Sequence, residues 1–416
     1  MPADAVPAAT DVLVVGAGPA GSAAAAWAAR GGHQVVLADA AVFPRDKPCG
    51  DGLTPRAIAE LDHLGLGEWA RSKARNRGLR AAGFGREWQL PWPGGAFPDH
   101  GSAVPRTELD ARIREAALDA GAVAADGARA VDVERDGDQI TGVVFEHPDD
   151  SRSTVSCRRL VVADGVRSPL GRVLGREWHR DTAYGVAARG YVASGRADDE
   201  WISSHLELRG AEGELLSGYG WVFPLGAEAG EVNIGVGTLA TARRPAGVQL
   251  KSLLETYADA RREEWRLDGD VRLPASALLP MGGAVSGVAG RNWALIGDAA
   301  GCVNPLNGEG IDYGLETGRT LAGLLDEDDW TAAWPATLRQ HYGEAFSIAR
   351  RLAGLLTVPR FLPAAGPVGM RSRALMTVAL RVMGNLVTDE DRDVVARLWR
   401  TAGRLSVRMD ERPPFS

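Results

Sequence analysis

The start of the chain alternates apolar runs with a segment of small residues. Residues 12–15 form a continuous apolar run, which is typical of a parallel strand buried on both faces. A helix is predicted over residues 22–30, where two glycines end it, and a second apolar strand is predicted over residues 34–38. This strand–turn–helix–strand order is typical of a nucleotide-binding α/β unit.

The rest of the pattern predicts a β-rich middle and a helical end. A helix begins at Thr54-Pro55, with the threonine as its N-cap, and another covers residues 107–120. Further strands are predicted around residues 128–146, 153–163, 184–238 and 293–296. After the last of these strands the chain is mainly helical.

The amino-acid composition is most useful for excluding classes of function. Apolar residues make up 45% and charged residues 24% of the 416 residues, which is ordinary for a globular protein. The net charge of −7 argues against nucleic-acid binding, because neutralising phosphates needs a basic face. Cys49, Cys157 and Cys302 lie far apart without metal-ligand spacing, so no metal site is predicted. Neither a signal peptide nor a membrane-spanning run is predicted, and we expect a cytoplasmic protein.

The most informative motif is the glycine-rich turn between the first strand and the first helix. Gly16 permits a tight turn, Gly18 lets backbone approach a pyrophosphate, and Gly21 allows the helix to pack closely on the strand. Asp39, at the end of the second strand, can accept hydrogen bonds from a ribose. A turn without a ligand is the alternative, but the surrounding strands, helix and acid favour a dinucleotide. NAD and FAD both satisfy this pattern.

Later segments resemble the FAD-dependent family built like para-hydroxybenzoate hydroxylase. Residues 291–301, with Asp298, are similar to its second flavin motif, and residues 305–311 to the loop beside its isoalloxazine ring. The pair Asp164-Gly165 resembles the motif next to the flavin pyrophosphate, and Arg106 matches an arginine near the cofactor. The resemblance implies an α/β fold with a Rossmann-like FAD-binding domain, an inserted β-rich substrate domain and a C-terminal helical region.

That resemblance also implies a discontinuous domain organisation. The FAD-binding domain is expected over residues 1–78, 105–178 and 272–330, the β-rich substrate domain over residues 79–104 and 179–271, and the helical region over residues 331–416. The residues implied to bind FAD are Gly16, Gly18, Ala20, Gly21, Asp39, Arg45, Cys49, Gly50, Arg106, Asp164, Gly165, Asp298, Pro305, Gly308, Gly310 and Ile311. The external reductant is left open, with NAD(P)H as one candidate.

Two further segments resemble the geranylgeranyl reductases within that family, which saturate isoprenoid double bonds. Residues 48–53 are similar to their cysteine–glycine segment at the flavin, and residues 219–224 match their YxWxFP signature. A two-residue period puts Tyr219, Trp221 and Phe223 on one face of a strand, where they could line an apolar tunnel for a polyprenyl chain. Without the resemblance, the same three aromatics are more typical of core packing.

Within the family, the similarity is closest to the actinobacterial menaquinone reductases and runs from end to end. It implies reduction of one isoprene unit of a lipid quinone's tail, with geranylgeranyl groups of other lipids as alternative substrates. Asp51 departs from the wider family, in which many members carry glycine there. An aromatic monooxygenase or halogenase and a non-catalytic flavin or quinone carrier are the other function classes, although the halogenases' paired-tryptophan motif is absent.

Saturating an isoprene double bond needs a proton donor as well as a hydride, because the alkene is unactivated. Cys49 is the first candidate for this acid, since the resemblance places it beside the flavin. Asp51 and Glu309 are the alternatives. An inert, partly buried thiol is the competing interpretation of Cys49.

Residues 345–388 contain no Asp or Glu but carry six arginines among many apolar residues. The arginines are Arg350, Arg351, Arg360, Arg371, Arg373 and Arg381. Basic amphipathic helices of this kind lie on anionic membrane surfaces. We therefore expect peripheral contact with the cytoplasmic face of the membrane, with a helical cap carrying solvated arginines as the alternative.

Overall fold

The computed structural model describes residues 7–210 and 212–416, which form two large β-sheets with flanking helices. Within this part of the chain the strands are β1 (Ala9–Val15), β2 (Val35–Asp39), β3 (Gly52–Leu53), β4 (Ala74–Asn76), β5 (Gly78–Gly83), β6 (Arg86–Pro91), β7 (Gly101–Ala103), β8 (Val123–Asp126), β9 (Arg129–Asp136), β10 (Gln139–Glu146), β11 (Arg152–Val162), β12 (Glu177–Trp178), β13 (Tyr184–Ser194), β14 (Trp201–His205), β15 (Gly218–Pro224), β16 (Glu231–Ala240), β17 (Leu267–Leu279), β18 (Val285–Ser286) and β19 (Trp293–Leu295).

The α-helices are α1 (Pro19–Arg30), α2 (Pro55–His63), α3 (Gly67–Arg71), α4 (Arg106–Asp119), α5 (Pro169–Val173), α6 (Leu250–Trp265), α7 (Ile311–Ala322), α8 (Trp330–Leu338), α9 (Glu344–Leu356), α10 (Phe361–Gly369), α11 (Arg373–Met383) and α12 (Val394–Arg408). A 3₁₀ turn covers Gly297–Ala300 and a π-helical turn covers Arg339–Gly343.

The first sheet has the strand order β8-β2-β1-β11-β10-β9, with β19 paired to the C-terminal part of β11. Strands β8, β2, β1, β11 and β19 are parallel, so their carboxyl ends meet at one edge, where ligands bind in open α/β sheets. Val12, Leu13 and Val14 are at most 1% exposed. The parallel strand predicted from the apolar run is therefore confirmed.

Helix α1 packs against both α4 and α7. A Cβ added to Gly318 of α7 would lie 2.7 Å from the carbonyl oxygen of Ala20 and 2.8 Å from the amide nitrogen of Ala24. Only small residues allow two helix backbones to approach so closely. The small-residue helix predicted from the sequence thus brings the start of α7 beside the glycine-rich turn.

The second sheet has the order β17-β13-β16-β15-β14-β5-β6 and is antiparallel except for the pair β14–β5. Period-two alternation places Val232, Ile234 and Val236 in a buried cluster with Leu254 and Tyr257 of α6. The residues between them on β16 therefore face the opposite side of the sheet. Helix α6 was not predicted, because the surrounding pattern is dominated by strands.

Strand β17 extends the second sheet beyond the boundary expected at residue 272. Its Leu279 pairs with Gly185 of β13. The pairing shifts register within β17, where Leu273 adopts a φ of +48°. Such an irregularity interrupts the period-two alternation within β17.

The C-terminal helices differ in how they are anchored. Helices α9 and α12 pack against each other, and stacked rings of Tyr342, Phe346 and Phe415 hold the end of the chain. None of the described residues of α10 is buried, and in α11 only Leu380 is. Among the helices described, none combines the length and the hydropathy needed to cross a bilayer.

Candidate active site

The glycine-rich turn between β1 and α1 depends on contacts that only glycine permits. Gly16 has a φ of +103°, and a Cβ there would lie 2.3 Å from the carbonyl oxygen of Ala163. A Cβ on Gly21 would lie 1.8 Å from the carbonyl oxygen of Gly16. Gly18 is the N-cap of α1 and has no side chain to bond the first N–H groups of the helix. These N–H groups are therefore available to a phosphate.

Asp39 closes the same turn from the end of β2. Its Oδ2 accepts a hydrogen bond from the backbone N–H of Ala17 at 2.7 Å, and its Oδ1 accepts one from Ala41 at 2.8 Å. Each oxygen keeps a further lone pair. The carboxylate is thus fixed beside the turn and can still accept a ribose hydroxyl.

Two arginines converge on Asp110 next to Gly18. Arg106 donates from Nε to Oδ1 at 2.6 Å and from Nη2 to Oδ2 at 2.7 Å, and Arg45 Nη1 lies 2.7 Å from Oδ2. A Cβ on Gly18 would lie 3.3 Å from Arg45 Nη2 and 4.0 Å from Arg106 Nη2. Two guanidinium groups against one carboxylate leave a net positive charge beside the start of α1, which suits a pyrophosphate.

Asp164 and Asp298 follow the carboxyl ends of β11 and β19. Asp164 accepts hydrogen bonds from Ser168 Oγ at 2.5 Å and from the N–H of Leu170 at 2.9 Å, so it fixes the start of α5. Asp298 Oδ2 pairs with Lys47 Nζ at 3.0 Å. Both aspartates line the cavity described below. Asp164 supports the cavity wall by fixing the start of α5, and Asp298 is held in the wall by its ion pair with Lys47.

The loop from Asn304 to Gly310 closes on itself before α7. Asn304 Oδ1 accepts a hydrogen bond from the N–H of Leu306 at 2.9 Å, and Asn307 Oδ1 accepts one from Glu309 at 2.9 Å. Tyr219 of β15 donates its hydroxyl to the carbonyl oxygen of Asn307 at 2.5 Å. The loop is therefore tied to the second sheet.

Glu309 is the acid that this loop contributes to the cavity. Thr54 donates a short hydrogen bond from its hydroxyl to Glu309 Oε1. Thr54 occupies the predicted N-cap position of α2, but its side chain accepts no hydrogen bond from the helix and its hydroxyl donates to Glu309 instead. Loss of solvent deep inside the protein raises the pKa of Glu309 to about 7, against the hydrogen bonds from Thr54 and Asn307.

Residues 49–51 bring a thiol and a carboxyl together. The backbone N–H of Asp51 donates to Cys49 Sγ at 3.3 Å. Desolvation raises the pKa of Cys49, although the positive charge of Arg106 opposes this, so the thiol keeps its proton. Asp51 is fully buried with a φ of +62°, a conformation that favours glycine.

A hydrogen-bond network fixes the Asp51 carboxyl. Its Oδ2 accepts from Tyr191 Oη at 2.7 Å and from Asn233 Nδ2 at 2.9 Å. Burial raises the pKa of Asp51 to about 6, while these two hydrogen bonds lower it. Asn233 also donates to the carbonyl oxygen of Cys49 at 2.9 Å and accepts from Trp221 Nε1 at 2.9 Å. One amide thus links the thiol, the acid and the aromatic face.

Sequence reasoning missed three residues of this network: Asn233, Tyr191 and Arg189. Arg189 donates to the carbonyl oxygen of Lys47 at 3.1 Å, which holds the segment before the thiol on the second sheet. Asn233 is polar between apolar positions of β16, so the alternation could have placed it on the cavity face. Tyr191 and Arg189 carry no such signal, because their roles depend on which strands β13 pairs with.

The three aromatic residues of β15 lie on one face of the second sheet. The ring centroids of Tyr219 and Trp221 are 6.0 Å apart, and those of Trp221 and Phe223 are 6.2 Å apart. A Cβ on Gly235 of β16 would lie 2.1 Å from the Trp221 ring. The glycine therefore makes room for the indole, and all three aromatic residues line the cavity.

One cavity of about 1250 Å³ connects these parts. It extends from the start of α1 to the aromatic face and on to α10 and α11, where apolar side chains line it. The predicted site residues that line it are Gly18, Ala20, Cys49, Gly50, Asp51, Arg106, Asp164, Gly165, Tyr219, Trp221, Phe223, Asp298, Gly308, Glu309, Gly310 and Ile311.

The other predicted residues stand behind the wall of the cavity. Gly16, Gly21 and Asp39 shape the turn, and Arg45 pairs with Asp110. Pro305 lies against Gly282, where an added Cβ would be 2.8 Å from its ring.

Helices α10 and α11 cover the apolar end of the cavity. In α11, Met376 and Leu380 line the cavity, while Leu375 and Val378 are 54% and 37% exposed. A helix that is apolar on both its inner and its outer side is unusual at a water-facing surface.

The six arginines of residues 345–388 form a smaller exposed basic surface than their number suggests. Arg350 is buried and donates to a backbone carbonyl. Arg351 pairs with Asp410 at 2.7 Å, and Arg381 pairs with Asp391 at 3.0 Å. These carboxylates follow the acid-free segment and fold back on it, which the sequence alone did not indicate. Arg351 is exposed as well as paired, whereas the exposed Arg360, Arg371 and Arg373 form no ion pair with any other described residue.

Comparison with known proteins agrees with a flavin site. The family model described as FAD binding domain matches residues 9–202. The chain is 64% identical over 410 residues to menaquinone reductase of Mycolicibacterium smegmatis, which covers 98% of this chain and 99% of that protein. It is 30% identical over 357 residues to digeranylgeranylglycerophospholipid reductase 1 of Methanopyrus kandleri, covering 83% of this chain and 90% of that protein.

A solved structure shares the architecture. A geranylgeranyl bacteriochlorophyll reductase-like protein from Thermoplasma acidophilum superimposes with a TM-score of 0.74 at 20% identity, covering 94% of this chain and 98% of that one. At this identity the match shows the fold, which is the predicted α/β fold with an FAD-binding domain.

Proposed function

The chain belongs to the menaquinone reductase family of FAD-binding oxidoreductases, and we propose that it saturates a double bond in the isoprenoid tail of menaquinone. The chain is an FAD-dependent reductase. A relative named for a geranylgeranyl-bearing phospholipid is also similar, at 30% identity. Menaquinone and such lipids share an isoprenoid chain and differ in their polar parts. The tail, rather than the ring, is therefore the part of the quinone that we assign as substrate.

The observation that carries this proposal is the single cavity with two kinds of wall. At one end its wall is polar and shaped by glycine, and at the other it is apolar and lined by aromatic, leucine and methionine side chains. An isoprenoid chain is long, flexible and apolar, so it fits an adaptable apolar wall of this kind. Cys49 and Asp51 lie where the two walls meet.

The polar end fits FAD. The N-terminus of α1 and Arg106 face the position of a pyrophosphate, and Asp39 that of a ribose. Asp298 would bond the ribityl chain, and Gly308 and Gly310 would let backbone approach the ring. When bound, reduced FAD supplies the hydride for the double bond. The protein has to supply the position of the tail and the proton.

We assign the proton to the Cys49 thiol. Its raised pKa keeps it protonated at neutral pH, and the N–H of Asp51 holds the sulfur in place. Asp51 is a weaker candidate, because a carboxyl with a pKa of about 6 is mostly ionised at pH 7. As a carboxylate it would hold the segment through Tyr191 and Asn233 and disfavour loss of the thiol proton. Glu309 lines the same cavity, is bonded to Thr54 three residues after Asp51, and retains a role in proton supply.

The proposal includes contact with a membrane surface, since menaquinone resides in the bilayer. Exposed Leu375 and Val378 on α11, together with the exposed arginines Arg371 and Arg373, form an apolar and basic face beside the covered end of the cavity. Apolar side chains enter the headgroup region and arginines attract anionic lipids, each contributing about 1 kcal/mol. The tail would pass from the bilayer along α11 into the cavity.

Mass spectrometry of menaquinone tests the proposed activity. The purified protein is incubated anaerobically with FAD, dithionite and menaquinone in detergent, and fragmentation locates any added hydrogen. We expect a gain of two hydrogens in the tail. A geranylgeranyl phospholipid run in parallel distinguishes the alternative substrate. An unchanged tail, together with oxygen-dependent turnover of an aromatic compound, would contradict the proposal and favour a monooxygenase.

A further inference from the structure

Three carboxyl groups surround a single arginine at the start of α7. Glu309 stands in the loop before the helix, and Asp312 and Glu316 follow one turn apart on it. Arg56 of α2 donates to Glu316 Oε2 from Nη2 at 2.6 Å, and its Nε lies 4.0 Å from Asp312 Oδ2. The arginine is therefore already paired with the outermost of the three acids.

Asp312 has no such partner. It is 0% exposed, and within the described residues no side chain donates a hydrogen bond to either of its carboxyl oxygens. Only the backbone N–H of Tyr313 and the charge of Arg56, at 4.0 Å, favour its ionised form. An ionised carboxylate in this position would be buried with only a weak share of one cation, which is a costly arrangement in a protein. Holding a proton removes that penalty.

Around the start of α7, carboxyl groups outnumber the cations that could pair with them. Arg319 is the next cation along α7, and it is engaged by Glu60 of α2 at 2.6 Å. The other titratable groups near Arg56 and Glu316 are Tyr313 of α7, and His341 and Tyr342 of the π-helical turn. The buried Cys302 thiol also faces Glu316 and Asp312, and burial raises its pKa, so it adds no cation.

Glu309 faces a different set of groups. They are the hydroxyl of Thr54, the amide of Asn307 and the hydroxyl of Tyr219. None of these is a cation, so Glu309 and Asp312 share only the partial attraction of Arg56. Burial first, and then the charge of Glu309, raises the pKa of Asp312.

We propose that Glu309 and Asp312 form a carboxyl pair that holds one proton at neutral pH and returns it to the cavity through Glu309. This inference deepens the proposed function and rests on it. The proton leaves Glu309 for the group in the cavity that has lost its own, which in the proposed mechanism is the Cys49 thiolate. The doubly ionised pair then takes up a proton from solvent. Glu309 lines the cavity, and Asp312, which acts through Glu309, is a positioning residue.

The dependence of stability on pH tests the pair without any turnover. Because the folded-state pKa of Asp312 is raised, wild-type protein loses stability as pH rises above the pKa of an unfolded aspartate. Asp312→Asn removes this loss, so its melting temperature relative to wild type should rise by about 2 °C or more between pH 5 and pH 8. A flat or falling difference would overturn the proposal.

Glu316→Gln is the matched control on the same helix. The Arg56 partner lowers the pKa of Glu316 against the effect of burial. Its ionised form therefore contributes stability that is present above the unfolded pKa of glutamate and is lost at lower pH. The melting temperature of the variant relative to wild type should consequently fall as pH rises through the acid range up to about pH 5 and stay level above it. Relative to wild type, the melting temperature should therefore rise with pH for Asp312→Asn and, in the acid range, fall with pH for Glu316→Gln.

Infrared spectroscopy of wild-type holoenzyme provides a measurement independent of variant folding. A protonated carboxyl band at pH 7 that shifts on ¹³C-aspartate or ¹³C-glutamate labelling and disappears at alkaline pH supports the pair. Absence of such a band at pH 7 would overturn it.

The pH profile of tail reduction tests the role in catalysis. Asp312→Asn removes the repulsion that holds the last proton on the pair, so the alkaline limb of kcat should move to lower pH while KM is unchanged. A uniform loss of kcat at every pH with the limb in place would mean a merely structural role. Absence of turnover in wild type would instead count against the proposed function, and the stability test would still decide on the pair.

Discussion

The polar and apolar ends of the cavity differ in how tightly they are built. At the polar end, Gly16, Gly21 and Gly318 hold backbones so close that an added Cβ would lie within 2.7 Å of a backbone oxygen. At the apolar end, none of the described residues of α10 is buried and α11 buries only Leu380. The flavin end therefore has one geometry, and the tail end can adapt to a flexible chain.

The difference follows from the two ligands. A cofactor that must present one reactive atom requires a site with fixed backbone groups, because small displacements are costly to catalysis. An isoprenoid tail offers repeating units with no polar groups to fix, so an apolar cover of methionine and leucine suffices. Substitutions at the two ends should consequently differ in size and in kind.

The largest effect is expected at the turn of the flavin end. Gly16→Ala forces a Cβ against the carbonyl of Ala163, which directly follows β11 and is held in place by the hydrogen bond of its N–H to the carbonyl oxygen of Val15 at 2.7 Å. We expect a loss of about 3 kcal/mol or more of unfolding free energy and a preparation without bound FAD, measured by urea unfolding and by flavin absorbance.

Gly121→Ala is the control for backbone strain alone. Gly121 has a φ of +109°, close to that of Gly16, but an added Cβ meets nothing within 4 Å. It should cost only about 1–2 kcal/mol and retain FAD. Equal effects of the two substitutions would mean that the close approach at Gly16 is unimportant.

The second-largest effect is expected at Cys49, where the flavin end and the tail end of the cavity meet. Cys49→Ala should lower kcat for tail reduction about 100-fold or more, because a general acid is lost, while FAD binding stays normal. Rapid-quench measurement of the reduced tail checks this. Undiminished reduction by the variant would remove the thiol from the mechanism and leave Asp51 or Glu309 as the acid.

The third effect belongs to the adaptable end. Leu375→Glu with Val378→Glu should weaken binding to anionic liposomes about 10-fold or more in flotation assays, since apolar burial is lost and repulsion is added. The melting temperature should hardly change, because both side chains are exposed. Val42→Glu with Val173→Glu alters two exposed valines of the FAD-binding part by the same charge. If both pairs reduce flotation equally, net charge and not α11 is responsible.

The smallest effect is expected at Asn233, which connects the ends. Asn233→Ala should cost about 1 kcal/mol, and more at pH 8 than at pH 5, because the amide stabilises the ionised form of Asp51. Asn76→Ala is the matched control, since Asn76 accepts the Trp92 indole N–H at 2.7 Å just as Asn233 accepts that of Trp221. The control should lose stability without this dependence on pH; the same dependence in both variants would contradict the role of Asn233.

The flavin end was largely predictable from the sequence, because its requirements are local. The turn at residues 16–21 needs glycine at fixed offsets, and the apolar run before it has a period that identifies a buried strand. The aromatic face of β15 follows from alternation. Such features can be inferred without knowing which strands are neighbours.

The remaining parts depend on contacts between distant segments. Thr54 stands at the N-cap of α2, but its hydroxyl donates to Glu309, which lies far along the chain. Arg351 and Arg381 do not form a basic face because carboxylates beyond residue 388 pair with them. In the sequence, Asp312 is an ordinary acid in the first turn of a helix. Only the packing of α2 shows that the nearby Arg56 is already paired with Glu316. Pairings of this kind are decided by tertiary structure and not by local pattern.

We conclude that one cavity brings reduced FAD and an isoprenoid double bond together. An anaerobic single-turnover experiment tests it most directly, with stoichiometrically reduced enzyme, menaquinone and simultaneous measurement of flavin absorbance, ring redox state and tail mass. We expect each flavin reoxidised to be matched by one double bond saturated in the tail. Flavin reoxidation accompanied by reduction of the quinone ring, with the tail unchanged, would contradict it.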